Sequence, residues 1–157
     1  MFRRIIQFGV PSIFLFFSTA VAWYEGSELI DIPWEWKYST PFTQLLYGQV
    51  NNPCDISQLD YFIYAAKFHP TFPIMMVLSS LFLLTLIGYY SLKQQKKLFT
   101  YFLSILGGGL FLFSYFTFHS PTVGGHLLFL LFFIYGLLCI TTALILHLQI
   151  SNQIMIK

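Results

Sequence analysis

Charge is scarce in this sequence: Asp, Glu, Lys and Arg make up 9% of its 157 residues, against about a quarter in ordinary soluble domains. With 57% hydrophobic and 20% aromatic residues, a water-soluble domain of this length would have no means of hiding its apolar surface. A net charge of +2, without a basic patch interleaved with aromatics, sets nucleic-acid binding aside. Cysteine is equally sparse. Cys54 and Cys139 are the two in the chain, and the lack of any CxxC argues against a four-helix thiol–disulfide oxidoreductase. HExxH, CxxCH, calcium-loop and GK[ST] phosphate-loop patterns are all missing as well.

The remaining absence is positional. No Asp, Glu, Lys or Arg falls within 5–24, 71–92, 98–118 or 126–148, apolar runs of the length that spans about 30 Å of hydrocarbon at 1.5 Å per residue. Only helices satisfy their own backbones there. The prediction is an all-α membrane protein, a single-domain bundle of four transmembrane helices with the lipid bilayer as its first partner. Coupled carriers and proton pumps are disfavoured, because they usually need intramembrane charge. Arg3, Arg4, Lys93, Lys96, Lys97 and Lys157 flank one side of the four runs, whereas Lys37, Lys67 and all six acids lie in 25–69. The positive-inside rule then predicts a multi-pass plasma-membrane protein with both termini cytoplasmic and 25–69 outside. Arg3-Arg4, the first apolar run and Ala20-Val21-Ala22 also fit a signal cleaved after Ala22. The length of that run and its bulky Phe14, Phe16 and Phe17 favour a retained anchor.

The outer loop is too rich in aromatic and aliphatic residues to be disordered. Thr40 as cap, Pro41 in the first turn and Gly48 as stop predict a short helix at 41–47. Asp55 with Gln58 predicts the start of a second at 56–68, with Ile56, Leu59, Ile63 and Ala66 on one face and His69-Pro70 ending it. Tyr61, Phe62 and Tyr64 beside that face are expected at headgroup level. Trp34, Trp36, Tyr38 and Phe42 are the candidate partner-binding residues.

Glu25, Glu28, Asp31 and Glu35 recur at helical spacing and offer oxygens to a hard divalent ion, but Pro33 interrupts them, and salt bridges to Lys37 or Lys67 are the simpler expectation. His69, His119 and His126 fall at the outer boundary, where they are candidate ligands for zinc, copper or a haem iron. His147, about 31 Å of helix from His126, is too far to join them. Ser104, Gly107 and Gly108 in the third run form a smooth strip for close helix packing. Cys54 and Cys139 are too far apart in depth to pair. No spacing among Ser27, Ser39, Ser57, His69 and the acids marks a nucleophile with its base, so neither enzymatic activity nor a cofactor is expected.

Around Glu25-Gly26-Ser27 and Pro33-Trp34-Glu35-Trp36-Lys37-Tyr38-Ser39-Thr40-Pro41-Phe42, the chain resembles small uncharacterised multi-pass membrane proteins of Bacillus-type bacteria that carry a domain of unknown function. The resemblance implies a bacterial plasma membrane and supplies no catalytic residue. Its pattern of one long and one short outer loop is also similar to that of claudin-like tetraspans, although the paired loop cysteines of that family are missing. The expected function is that of a non-enzymatic accessory protein binding a membrane-protein partner, or a further copy of itself, through the aromatic, acidic outer loop. The alternatives are an oligomeric pathway for small solutes or ions, and a metal- or haem-binding protein using the outer histidines.

Overall fold

The apolar runs fold as long helices, and the aromatic stretch between the first two folds as short ones. The structure is a computed structural model describing residues 2–50 and 52–155, so Lys157, counted on the basic side, lies outside the described residues. The elements are α1 (Phe2–Gly26), 3-10 turns at Ser27–Asp31 and Pro33–Glu35, α2 (Trp36–Ser39), α3 (Pro41–Tyr47), a 3-10 turn at Pro53–Asp55, α4 (Gln58–Phe68), α5 (Thr71–Leu92), α6 (Lys96–Phe118) and α7 (Val123–Met155). No strand occurs among the described residues. Four helices, α1, α5, α6 and α7, are long and apolar enough to cross a membrane. They agree with the predicted runs, α5 residue for residue and the others extended beyond them. In their most apolar windows only 11–28% of the residues are buried, so the protein itself leaves most of this apolar surface uncovered.

The chain divides into two compact units, one comprising the chain up to Ser79 with Thr122–Gly125, the other Ser80–Pro121 with the chain from His126 on. In the first, α1 crosses α4 so closely at Gly26 that a Cβ there would collide with the Tyr61 backbone carbonyl. Gly124 meets the Ala66 carbonyl at the end of α4 in the same way. Phe17 of α1 packs edge-on against Phe72 of α5, ring centroids 6.1 Å apart.

In the second unit α6 buries Thr100, Leu103, Gly107, Leu110 and Ser114, a stripe at helical spacing. Leu103 forms a core with Cys139 and Ala143, and Gly107 lies against Gly136 and Ile140. The two helices therefore run antiparallel. A Cβ on Gly107 would come within 2.8 Å of Ile140, so a smooth surface is needed at that one residue. Nothing lies within 4 Å of a Cβ built on Gly108, and Ser104 is exposed with its hydroxyl donating to the Thr100 carbonyl. The expected packing strip reduces to Gly107, and its partner Gly136 carries no motif in the sequence. Polar contacts between helices include the Thr85 and Tyr135 hydroxyls, 3.0 Å apart, and the Ser114 hydroxyl donating to the Phe129 carbonyl at 3.4 Å.

Overpacking this crossing is expected to destabilise the second unit by about 1–3 kcal/mol, which lowers the melting temperature of a chain this size by about 3–10 °C. Gly107→Leu and Gly136→Leu should show that loss in detergent solution. Gly108→Ala should hold or raise stability, since it adds no clash and removes backbone freedom.

Candidate functional site

The chain between α1 and α5 is a small folded body built around one buried carboxylate. Asp60 of α4 is wholly buried. One oxygen accepts from the Phe42 backbone N–H at 2.9 Å. The other accepts from the Thr43 N–H at 2.9 Å and from the Thr43 hydroxyl at 2.5 Å. Thr43 Oγ1 in turn accepts from the Ser57 N–H at 2.8 Å, and Ser57 Oγ accepts from the Leu59 N–H to cap α4. Asp60 thus sits in the first turn of its own helix while capping the start of α3. Each helix N-terminus carries roughly half a positive charge, so two of them at one carboxylate offset its burial without a cation.

The cap of α3 corrects an expectation. Thr40 makes no capping bond; its hydroxyl donates to the Trp36 carbonyl, and Asp60, seventeen and eighteen residues along the chain from Thr43 and Phe42, does the capping. Gly48 ends α3 as expected, at φ +81°. The start of α4 also differs. Its N-cap is Ser57, while Asp55 accepts from the Asn52 N–H in the preceding turn.

The buried face of α4 is Asp60, Tyr61, Tyr64 and Ala65, rotated from the Ile56, Leu59, Ile63, Ala66 face read from the sequence. Leu59 is exposed. Tyr61 and Tyr64, expected at headgroup level, form the core of the segment with Leu29 and Ile56. Burial, followed by the charges of Glu28 and Glu35, raises the Tyr64 pKa above its ordinary 10.0.

Trp36 also turns inward: it packs on that core, and its indole N–H donates to the Leu29 carbonyl at 2.9 Å. Lys67 reaches back to α2, donating to the Tyr38 carbonyl and, at 3.1 Å, to Ser39 Oγ. Ser39 donates on to Glu35 at 3.0 Å. Burial lowers the Lys67 pKa, and the Glu35 charge opposes that shift. Lys67 therefore holds the end of α2 instead of making the direct salt bridge expected. His69 Nε2 lies 3.3 Å from a carboxylate oxygen of Glu28 at the surface of the segment.

Of the four expected partner-binding residues, Trp36 is half-buried, Trp34 is 72% exposed, and Tyr38 and Phe42 are exposed as well. Phe42, Leu45 and Leu46 share one face of α3 by spacing. Leu45 is 84% and Tyr47 71% exposed. Next to them lies a cleft of about 480 Å³ whose walls include Pro33, Trp36, Lys37, Gln44 and Val50. Gln44 is fixed there by bonds from its amide to the Trp36 and Lys37 carbonyls.

Among the described residues, no group of three or more His, Cys, Asp or Glu side chains is placed to hold a metal ion. The acids at 25–35 are spread over the end of α1 and two 3-10 turns instead of one helical face. Of the histidines expected as ligands, His69 pairs with Glu28, His119 packs on the Tyr115 and Phe118 rings, and His126 is exposed. Cys54 is exposed and Cys139 buried, both as free thiols.

Comparison with known proteins places this segment at the centre of what is shared. A family model described as "Domain of unknown function (DUF4306)" matches residues 5–92, more than half of the chain. The match takes in α1, the folded segment and α5, and ends before α6. The Bacillus subtilis (strain 168) protein "Uncharacterized protein YjdJ" is 38% identical over 97 residues, covering 59% of this chain and 89% of that relative. No solved structure matches the chain.

Two outcomes follow from the geometry. Asp60→Ala leaves three donors without their acceptor and should destabilise the segment by at least about 2 kcal/mol, seen as faster proteolysis within 27–69, while Leu45→Ser at the exposed face leaves that rate unchanged. The Tyr64 pKa is higher folded than unfolded, so its contribution is complete below pH 10.0 and is lost as pH rises through the folded value. Wild type should therefore lose segment stability at alkaline pH relative to Tyr64→Phe, as measured by tryptophan fluorescence during denaturant titration.

Proposed function

The chain belongs to the DUF4306 family, and on that footing we propose that it is a non-enzymatic membrane protein that holds a rigid aromatic face at the outer surface of a bacterial plasma membrane for a membrane-protein partner. In this reading α1, α5, α6 and α7 cross the bilayer as a four-helix bundle. Both termini are cytoplasmic, because most of the basic residues then fall inside.

The observation that carries the reading is the exposed set Trp34, Tyr38, Phe42, Leu45 and Tyr47 on a body whose backbone is fixed by Asp60, Trp36 and Lys67. Large aromatic anchors on a preorganised backbone lose little freedom on binding and dominate protein interfaces. The adjacent cleft, with Lys37 and Gln44, supplies the polar rim such interfaces carry. The segment also lies wholly within the family-matched residues, where an activity common to the family would reside. The uncovered apolar faces of the long helices fit contact with lipid tails.

Cys54, exposed in this segment, provides the test of orientation. A membrane-impermeant maleimide should label it in intact cells, while a cysteine placed at Lys96 in a Cys54→Ser background should react only after permeabilisation; the reverse pattern overturns the topology. For the partner, a photoreactive residue at Trp34 or Leu45 should give one discrete protein adduct in native membranes, lost on Leu46→Asp. Lipid adducts alone would overturn partner binding.

A further inference from the structure

We propose that a basic groove between the start of α6 and the end of α7 binds the phosphate of an anionic phospholipid, one lipid per chain. The proposal rests on the membrane placement above but concerns the opposite, cytoplasmic side. Two adjoining clefts make up the groove. One, of about 210 Å³, is lined by residues including Lys97, Tyr101, His147 and Ser151. The other, of about 690 Å³, adds Lys93 and Lys96 and shares Lys97 and Tyr101 with the first.

Charge balance identifies the ligand class. Lys93, Lys96 and Lys97 fall within five residues, and no Asp or Glu occurs anywhere after Asp60. The second unit therefore contains no acidic side chain to neutralise them. The cluster therefore attracts anions, and Tyr101 and Ser151, which also line the groove, add hydroxyl donors to the ammonium groups, a set suited to phosphate oxygens.

The surroundings favour a lipid over free phosphate. Tyr101 is exposed, and Ile105, one turn further along α6, is exposed beyond it; Leu144, one turn before His147 on α7, is exposed as well. A phosphate held at the mouth would leave its acyl chains lying along these apolar side chains. Basic pockets between helices at the cytoplasmic side are suited to anionic headgroups. The groove lies beyond residue 92, where the family match ends.

The experiment is native mass spectrometry of the full-length protein in mild detergent doped with phosphatidylglycerol or phosphatidylcholine. The expected result is one retained phosphatidylglycerol per chain and no retained phosphatidylcholine. Affinity should fall about five-fold per lysine neutralised, the ratio corresponding to about 1 kcal/mol each, hence roughly twenty-five-fold in Lys96→Gln/Lys97→Gln. The Lys96→Arg/Lys97→Arg protein, which keeps the charge, should bind within about two-fold of wild type, and Lys37→Gln on the other side should change nothing. Equal retention of both lipids, or no loss on neutralisation while the arginine variant also behaves as wild type, overturns the proposal. Displacement of phosphatidylglycerol by an equal concentration of inorganic phosphate assigns the groove to free phosphate and overturns the lipid assignment. A protein released from membranes by alkaline carbonate would instead defeat the membrane placement itself, an outcome read separately from lipid retention.

Discussion

The folded segment depends on the carboxylate of Asp60, because it stands in the first turn of α4 while accepting from the backbone at the start of α3. With α3 only seven residues long, local propensity is too weak to hold it in isolation. Its first free N–H groups need an acceptor, and the acceptor comes from α4 across the interior. Thr43 extends the same network to Ser57, so the geometry of α3 and the start of α4 are set together. Trp36 and Lys67 add two further ties, from the indole to the Leu29 carbonyl and from the ammonium to the end of α2. The exposed aromatic residues are held on this frame, which gives them the preorganised character the functional proposal uses.

The four long helices obey a different physics. In the second unit the core is small, with Leu103, Cys139 and Ala143 buried, and the close approach of α6 and α7 is permitted by glycine at Gly107 and Gly136. In the bilayer placement proposed above, where lipid is as apolar as the side chains, association rests on such close packing and a few polar contacts, and the Thr85–Tyr135 pair is one of these. Charge is partitioned along the chain just as sharply: every acid lies at or before Asp60, and the lysine cluster comes after it. That asymmetry supports both the proposed orientation and the proposed headgroup groove.

What was legible in the sequence was what local chemistry decides. The boundaries of α5 and of α3 agree with the expectation, since Pro70 and the lysine-rich turn bracket the first and Pro41 and Gly48 the second. Family membership was readable from the segment around Trp34–Phe42. Contacts distant in sequence were not readable. Nothing local marks Asp60 as the cap of a helix that begins nineteen positions earlier at Pro41. The same cause misplaced the buried face of α4: the tyrosines are amphipathic, and only the approach of α1 and the Ser27–Asp31 turn decides that Tyr61 and Tyr64 go inside. Trp36 could be read as an aromatic for display or for packing, and within this fold it does part of each: its indole bonds to the Leu29 carbonyl while the residue also lines the cleft.

Hydrogen–deuterium exchange on the full-length protein in lipid nanodiscs tests the central claim most directly, because it reads the amides bonded to Asp60 one peptide at a time. The account predicts strong protection of the Phe42, Thr43 and Ser57 amides in wild type, lost across 40–47 in Asp60→Ala while α1, α5, α6 and α7 stay protected. Rapid exchange of Phe42 and Thr43 in the wild-type protein would contradict it.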